Sequence, residues 1–291
     1  MRAATERVWT IRDVLNWTIA HLKSKQVTQP RATAEVLLAH ALGVDRISLY
    51  INFDKPLNPD ERAHFRRLIK RRLAGEPTQY ITGRQEFWSL SFQVNPHVLI
   101  PRPETELMVE ESLRLFRDAR PSSVLELGTG SGAVIVALAK ELDSDIRIAT
   151  DRSVEAVFTA RRNAESLGFG GRIQFLAADL FQPFKTEPVF DLIVSNPPYV
   201  SPEEYADLPR EIKDFEPREA LMADRGGLAV LHRILKEAPS YLKPRGWLLL
   251  EIGCTQKERV LKIAEQMETY VDVSVLDDYS DRPRLLRVQR G

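Results

Sequence analysis

The chain has 291 residues, 43% hydrophobic and 28% charged, which is typical of a globular protein with room for about two domains. Its 41 basic and 41 acidic residues cancel, which argues against attraction to nucleic acid or membrane, and one cysteine with five scattered histidines offers no metal site. No apolar run approaches the roughly 20 residues of a membrane span, and residues 1–7 lack a signal-peptide layout, so we expect a cytoplasmic protein.

The first 75 residues predict a small helical bundle. Helix starts are indicated at Thr10, Pro30, Asp45 and Asn58, because these are cap residues or a proline suited to a first turn. The last of these helices is expected to run to Gly75. Since no segment here shows a strand pattern, residues 1–75 are predicted to form a helical domain.

Residues 76–103 have a different pattern and predict a β-hairpin linker. Residues 80–83 and 86–94 alternate apolar and polar side chains, as strands do. Three prolines, Pro96, Pro101 and Pro103, then predict an extended stretch that leads into a helix over 104–117.

From Ser122 onward, predicted strands and helices alternate. Strands are expected over 124–126, 146–150, 173–176, 191–195 and 247–252, and helices over 133–142, 154–167, 228–242 and 256–269. Two last strands, 271–276 and 283–288, can pair antiparallel. Such alternation is typical of α/β proteins with a doubly wound, mostly parallel sheet, so residues 104–291 are predicted to form that domain.

A glycine-rich turn follows the first strand of this domain, in the run Glu126-Leu127-Gly128-Thr129-Gly130-Ser131-Gly132. Glycines let a ligand approach bare backbone, and this edge of a doubly wound sheet is where nucleotides bind. The next strand ends in Asp151, about 20 residues on, where a carboxylate can accept hydrogen bonds from both ribose hydroxyls. A dinucleotide oxidoreductase would share these two features.

The spacing of these glycines, and the acid before them, resemble instead the adenosylmethionine-binding turn of Rossmann-like methyltransferases. The third strand ends in Ala178-Asp179-Leu180, a place that in methyltransferases lies along the adenine. Asp179 could therefore accept the adenine amino hydrogens while Leu180 packs on the ring. The alternative is that Asp179 caps a local turn.

The fourth strand ends in Asn196-Pro197-Pro198-Tyr199, which has the groups needed to hold an –NH2 group. Prolines have no N–H, so the carbonyls of this turn are left free, and the Asn196 carboxamide oxygen can accept beside them. The Tyr199 ring can cover a flat, partly cationic centre. This turn and the glycine turn are expected in one crevice, because strands one and four flank the switch point. The alternative is that the turn only ends a strand.

A family resemblance extends over nearly the whole chain. Its motifs are Gln79-Tyr80-Ile81-Thr82-Gly83, Glu86-Phe87-Trp88, Val98-Leu99-Ile100-Pro101-Arg102-Pro103-Glu104-Thr105-Glu106, the glycine turn, Ser195-Asn196-Pro197-Pro198-Tyr199 and Phe215-Glu216-Pro217-Arg218-Glu219-Ala220-Leu221. Together they resemble the release factor glutamine methyltransferases, the HemK-like family. The stretch Ile-Pro-Arg-Pro-Glu-Thr-Glu is much more specific than the Asn-Pro-Pro-Tyr element, which other amino-group methyltransferases share.

The resemblance implies a Rossmann-like class I methyltransferase with a small N-terminal helical-bundle domain and a β-hairpin linker. It would methylate the side-chain nitrogen, N5, of the glutamine in the Gly-Gly-Gln motif of peptide-chain release factors. The donor would be S-adenosyl-L-methionine, which leaves S-adenosyl-L-homocysteine, with no metal, and the helical domain would grip the release factor. Neither a membrane nor direct nucleic-acid binding is expected. Family members usually carry an aromatic residue where this chain has Leu180, so we expect apolar packing on the adenine and not ring stacking.

Candidate site residues follow from these patterns. We predict that Asn196 Oδ1 and the Pro197 carbonyl accept the two amide hydrogens of the substrate, with Pro198 in the same turn and Tyr199 packed along the amide plane. The residues expected to bind the donor are Gly128, Thr129, Gly130, Ser131, Gly132, Asp151, Asp179, Leu180 and Asn196.

Several alternatives stay open. Arg102 and Glu104 either brace the crevice or only begin a helix, and the basic run from Arg66 to Arg72 either docks a release factor or is a solvated helix face. The chain could also be a glutamine methyltransferase of a ribosomal protein or a binding module without catalysis. A third alternative is a nucleic-acid amino methyltransferase. Such an enzyme would need a basic duplex-binding surface, and the zero net charge argues against one.

Overall fold

The computed structural model describes residues 8–291, so the expectation about residues 1–7 lies outside the described residues. Within 8–291, no helix combines the length and the hydropathy needed to cross a membrane. The described residues divide into two compact units, one of residues 8–83 with Arg210–Phe215 and the other of Arg84–Pro209 with Glu216–Gly291. Residues 76–103, expected as a linker, are divided between them.

The first unit is a bundle of short helices around an apolar core. Its helices include α1 (Ile11–Ser24), α2 (Pro30–Leu42), α3 (Arg46–Ile51), α4 (Pro59–Leu73) and α5 (Thr78–Thr82). Thr10 and Asn58 each form a capping box with the acid three residues on, which satisfies amide groups at the starts of α1 and α4. Leu22, Leu37 and Leu49 are fully buried in this core.

Residues 80–83 do not form the strand that their alternating pattern predicted. They lie at the end of α5, which follows Pro77 and stops where Gly83 takes a φ of 71°. Tyr80 and Ile81 are both buried, although a strand would point them to opposite faces. Four residues are too few to distinguish a strand period from a helix period. The hairpin itself consists of β1 (Arg84–Phe87) and β2 (Leu90–Gln93), paired antiparallel.

The second unit is built on a seven-stranded sheet with the order β5-β4-β3-β6-β7-β9-β8. Its strands are β3 (Ser123–Leu127), β4 (Ile146–Asp151), β5 (Gln174–Ala177), β6 (Phe190–Ser195), β7 (Leu242–Glu251), β8 (Tyr270–Asp277) and β9 (Pro283–Arg290). β9 pairs antiparallel with β7 and β8, and the other neighbours pair parallel. The predicted α/β fold is confirmed.

Helices cover the sheet on both faces. The helices of the second unit include α6 (Glu106–Leu115), α7 (Ala133–Glu141), α8 (Val154–Ser166), α9 (Pro202–Ala206), α11 (Arg218–Leu221), α12 (Asp224–Gly227), α13 (Ala229–Glu237) and α14 (Lys257–Glu265). The short helix α10 (Arg210–Lys213), which comes between α9 and α11 in the chain, belongs to the first unit. Leu192 and Val194 of β6 pack in one apolar cluster with Val136 of α7, and Ile193 packs in another with Leu231 of α13. Burial on both faces is what a central parallel strand requires.

The sequence pattern missed the segment between β6 and α13. Residues 202–227 contain short helices of four or five residues, too short to show a hydrophobic period. The helix predicted over 228–242 ends earlier, at Glu237, because Pro239 follows, and β7 already begins at Leu242.

The register of three adjacent strands determines what meets at the carboxyl edge of the sheet. Leu127 of β3 pairs with Ser195 of β6, and Ser195 pairs with Leu250 of β7. Ser195 Oγ also donates to the Leu127 carbonyl at 2.7 Å. The residues that come next along the three strands are Gly128, Asn196 and Glu251.

At the opposite edge, Asp191 ties the beginnings of the same strands together. Its Oδ2 accepts from the backbone N–H groups of Ser122 and Ser123 at 2.9 and 3.0 Å, and from Lys243 Nζ of β7 at 2.9 Å. Burial alone would raise the pKa of Asp191, but the hydrogen bonds from Lys243, Ser122 and Ser123 outweigh it and hold the pKa below its ordinary value.

Asp191→Ala should lower the free energy of unfolding by about 1–3 kcal/mol at pH 7, because two amides and an ammonium lose their acceptor. The difference from wild type should shrink as the pH falls below 3.8, since the stabilised form is the ionised carboxylate. Urea unfolding measures both. Asp143→Ala, at a side chain that is 77% exposed, is the control and should shift stability by less than about 0.5 kcal/mol. An Asp191→Ala protein as stable as wild type at pH 7 would contradict this role.

Candidate active site

A cavity of about 1100 Å³ opens at the carboxyl edge of the sheet in the second unit. Its wall includes the glycine turn, the residues that follow β4, β5 and β6, and part of the segment 96–105. The predicted site residues that line it are Gly128, Thr129, Gly130, Ser131, Asp151, Asp179, Leu180, Asn196, Pro197 and Pro198. Gly132 and Tyr199 are not among its lining residues.

Backbone amides fold the glycine turn back onto the end of β4. The N–H groups of Gly128 and Thr129 donate to the Thr150 carbonyl at 2.8 and 2.9 Å, and that of Gly130 donates to the Asp151 carboxylate at 2.9 Å. Gly128 and Gly130 have φ of 72° and 55°, and a Cβ at either would meet no protein atom within 4 Å. The backbone of this turn is therefore open to a ligand.

Gly132 supports the turn from behind. It precedes α7 with a φ of 81°, and a Cβ there would lie 3.1 Å from Ala160 Cβ in α8. The buried Asn163 of α8 donates to the Ser131 carbonyl at 2.8 Å and to the Gln93 carbonyl of β2 at 3.0 Å. Close packing of α7 against α8 thus positions the glycine turn and ties it to the hairpin.

Glu126 is a buried acid that lines the cavity at the end of β3. Thr129 Oγ1 donates to Glu126 Oε2 at 2.5 Å. Burial raises the pKa of Glu126 to about 8, and the hydrogen bond from Thr129 only partly opposes this. A buried carboxyl group of this kind would be stabilised as an anion by a cationic ligand in the cavity.

Asp151 ends β4, and backbone donors orient its carboxylate. Oδ2 accepts from Gly130 N–H and Oδ1 from Ser153 N–H, each at 2.9 Å. Each oxygen keeps a second lone pair that can accept from a ligand hydroxyl. Burial raises the pKa of Asp151, and the hydrogen bonds from the Ser153 and Gly130 amides oppose that effect.

Asp179 and Leu180 lie on the cavity wall beyond β5. The Asp179 carboxylate accepts from Arg233 Nη2 of α13 at 2.9 Å, and both side chains are partly exposed. Leu180 has a φ of 50° and is only 9% exposed, so it presents an apolar surface there. The pair with Arg233, which the sequence did not indicate, leaves other Asp179 lone pairs available.

Asn196 belongs to a chain of hydrogen bonds that runs behind the cavity wall. Its Nδ2 donates to Thr105 Oγ1 at 3.3 Å, and Thr105 Oγ1 donates to Glu251 Oε2 at 2.6 Å. Tyr199 reaches the other oxygen of the same carboxylate, with its hydroxyl 3.1 Å from Glu251 Oε1. Burial raises the pKa of Tyr199 and of Glu251. Bonds from Thr105 and Tyr199, and the charge of Arg284, oppose the rise in the pKa of Glu251.

The backbone of the Asn-Pro-Pro-Tyr turn is held from the far side. Gln256 Nε2 donates to the Tyr199 carbonyl at 2.9 Å, while Gln256 Oε1 accepts from Gly253 N–H at 2.9 Å. Gly227, with a φ of 80°, passes so close that a Cβ would stand 2.0 Å from the Tyr199 carbonyl oxygen. Only glycine fits at this position without a backbone shift.

Arg102 lines the cavity and is held by a buried acid. Its Nη2 lies 2.5 Å from Glu216 Oε1, and Glu216 Oε2 accepts from Ile100 N–H at 3.1 Å. This pair favours the bracing role for Arg102. Glu104, by contrast, is exposed and lies in the 3-10 turn Pro103–Thr105 before α6.

The basic run of α4 is not a uniform solvated face. Arg66, Arg67 and Lys70 are exposed, and Arg71 pairs with Glu76. Arg72 is buried and pairs with Glu211 of α10 at 2.5 Å, so it acts within the first unit.

Sequence reasoning assigned no role to several residues around the cavity, although Thr105 and Glu216 lie within motifs of the family resemblance. These residues are Thr105, Asn163, Glu216, Gly227, Arg233, Glu251 and Gln256. Glu251 carried a signal that could have been used, because it is an acid at the end of an apolar strand at the same edge as Asn196. Among residues 8–291, no group of three or more His, Cys, Asp or Glu side chains could hold a metal ion.

Two family models match the chain. A PrmC N-terminal domain matches residues 13–83, and a methyltransferase domain matches residues 120–284. A release factor glutamine methyltransferase of Geobacter sulfurreducens is 47% identical over 254 residues, which cover 87% of this chain and 88% of that protein. One of Rhodopirellula baltica is 38% identical over 287 residues, with 97% of each chain covered.

Solved structures share the fold at low identity. The hMettl16 catalytic domain, in complex with the MAT2A 3′UTR hairpin 6, has a TM-score of 0.57 at 19% identity and covers 72% of this chain and 79% of its own. A methyltransferase from Pyrococcus furiosus has a TM-score of 0.52 at 19% identity and covers 79% of this chain and 98% of its own. At such identities the likeness concerns the fold alone.

The raised pKa of Glu126 predicts a pH dependence of stability. Between pH 4.5 and about 8 the folded protein keeps a proton that the unfolded chain has lost, so this group makes the free energy of unfolding fall as pH rises. Glu126→Gln should remove that part of the slope, roughly 1 kcal/mol per pH unit within the window. Urea unfolding at several pH values measures it, with the exposed Glu203→Gln as the control that keeps the wild-type slope. A Glu126→Gln slope equal to that of wild type would contradict the assignment.

Proposed function

This chain belongs to the release factor glutamine methyltransferase family, and on that premise we propose the reaction carried out in its cavity. The enzyme methylates N5 of the glutamine side chain in the Gly-Gly-Gln motif of peptide-chain release factors. S-adenosyl-L-methionine, when bound, supplies an electrophilic methyl group on a positively charged sulfur. The observation that carries the proposal is the orientation of the Asn196 carboxamide on the cavity wall.

That orientation leaves the Asn196 oxygen available to a substrate. Because Nδ2 donates to Thr105, Oδ1 is the free end of the carboxamide, and no donor among residues 8–291 is bonded to it. Within the same range, no hydrogen bond uses the Pro197 carbonyl. Two neighbouring acceptors match the two hydrogens of a primary amide, and this match supports glutamine as the group that is held.

Hydrogen bonds from both amide hydrogens to Asn196 Oδ1 and the Pro197 carbonyl would also promote methyl transfer. An amide nitrogen is a weak nucleophile because its lone pair is shared with its carbonyl. Positive charge develops on it as its new bond to the methyl carbon forms and the bond from that carbon to sulfur breaks; the nitrogen then loses one proton, and neutral S-adenosyl-L-homocysteine is left. The two oxygens stabilise that charge, and fixed orientation can contribute up to about 7–11 kcal/mol. Pro198 continues the wall, and Tyr199 is proposed to pack along the amide plane when substrate is bound.

The residues around the glycine turn fit the methyl donor. The open backbone at Gly128 and Gly130 suits its methionine part, and Asp151 has lone pairs for two ribose hydroxyls. The buried Glu126 suits a ligand that carries positive charge. Asp179 is proposed to accept the adenine amino hydrogens, and Leu180 to pack on the ring. Thr129 and Ser131 line the same part of the cavity, and Gly132 is proposed to act by shaping the turn behind it.

Asp151→Ala should weaken donor binding about 10- to 100-fold, because ribose hydroxyls lose a charged acceptor and the Gly130 amide loses its partner. Isothermal calorimetry with S-adenosyl-L-homocysteine measures the affinity. The control is Asp143→Ala, an exposed position that should bind as wild type does. An Asp151→Ala protein with wild-type affinity would exclude the ribose role.

Asn196→Ala should reduce turnover by at least about 100-fold while donor affinity changes little, because the lost acceptor acts on the reacting amide. The assay incubates the protein with a release factor and labelled donor and maps the methyl group by mass spectrometry. Parallel incubations with ribosomal protein and with DNA test the other two substrate classes. Methylation outside the Gly-Gly-Gln glutamine, or near-normal methylation by Asn196→Ala, would refute the proposal.

A further inference from the structure

The carboxylate of Glu251 is placed where a carboxylate is costly. It is 1% exposed, and its hydrogen bonds come from two neutral hydroxyls, those of Thr105 and Tyr199. The nearby cation Arg284 is bonded instead to Asp278 at 3.2 Å. A buried carboxyl group whose partners among the described residues are only neutral hydroxyls is costly to the fold relative to an apolar side chain, and ionisation would raise that cost. Such an arrangement calls for an explanation in terms of function.

The single hydroxyl proton of Thr105 links Glu251 to the orientation of the Asn196 carboxamide. Thr105 has one hydroxyl proton, and it is donated to Glu251 Oε2 at 2.6 Å. Thr105 Oγ1 can therefore only accept from Asn196, so the NH2 end of the carboxamide must face Thr105 at 3.3 Å. Oδ1 is then directed away from Thr105 as an acceptor. An amide group that donates into a chain of hydrogen bonds is also polarised, which strengthens its oxygen as an acceptor.

We propose that Thr105 and Glu251 are positioning residues for methyl transfer, which hold the Asn196 carboxamide with Oδ1 presented to the substrate amide. This inference rests on the proposed function, because it assigns the two residues to the same acceptor. Glu251 holds the turn at a second point through the Tyr199 hydroxyl, so one buried carboxylate fixes both ends of the Asn-Pro-Pro-Tyr turn.

Thr105 offers a matched pair of variants. Thr105→Val keeps the shape but removes the hydroxyl, so Asn196 loses its acceptor and its carboxamide is free to turn. We expect kcat for release factor methylation to fall about 10- to 100-fold, with donor affinity within about threefold of wild type. Thr105→Ser restores the hydroxyl and should recover most of the lost kcat.

A double-mutant cycle separates positioning from a merely structural role. If Thr105 acts through Asn196, Thr105→Val should add less than about threefold to the defect of Asn196→Ala, measured in single turnovers with excess enzyme. If the two defects multiply, Thr105 does not act through Asn196 and the inference is overturned. Should Thr105→Val fail to fold by circular dichroism, Thr105→Ala carries the same comparison.

The outcomes also distinguish this inference from the proposed function. A large defect in Asn196→Ala, together with wild-type kcat in Thr105→Val, would overturn the positioning role and leave the acceptor role of Asn196 intact. Wild-type kcat in Asn196→Ala would instead overturn the proposed function itself. A Thr105→Ser protein as slow as Thr105→Val, although folded, would also contradict the inference, because it retains the hydroxyl.

Discussion

The in-register ends of β3, β6 and β7 are the constraint on which the site depends. Parallel pairing of Leu127 with Ser195, and of Ser195 with Leu250, brings three segments with different chemistry to one edge of the sheet. The glycine turn presents bare backbone there, the Asn-Pro-Pro-Tyr turn presents carbonyl oxygens, and Glu251 lies behind the wall. Since a shift of one residue in a strand would turn these groups to the other face, the apolar contacts that fix the register also fix the site.

Two buried acids, Glu126 of β3 and Glu251 of β7, lie at this edge on either side of β6. Their surroundings differ. Glu126 faces the cavity with a hydrogen bond from Thr129, and its raised pKa suits a group that becomes an anion only beside a cation. Glu251 faces inward and accepts from two hydroxyls that belong to the walls of the site. One buried acid therefore lines the cavity itself, and the other orients side chains of its wall from behind.

Much of the fold could be predicted, because strands and helices in the second unit are long enough for their periods to appear. The hairpin limits were wrong at residues 80–83, where α5 forms, since a four-residue pattern does not separate the two periods. Sequence reasoning expected Asn196 and the glycine turn in one crevice, and both line the cavity. It could not identify the residues that orient Asn196. Thr105 and Asn196 are 91 positions apart in the chain, and Thr105 and Glu251 are 146 positions apart. Such contacts follow from tertiary packing and have no local period.

The close approach of Gly227 has a consequence for protein engineering. The backbone at Gly227 leaves no room for a Cβ beside the Tyr199 carbonyl, and Gln256 bonds the same oxygen. The four-residue turn therefore cannot be moved to another protein by itself. Grafting it onto another Rossmann-like scaffold would transfer the side chains without the glycine and glutamine that give the loop its path, and a designer would have to transplant three separate stretches of chain together.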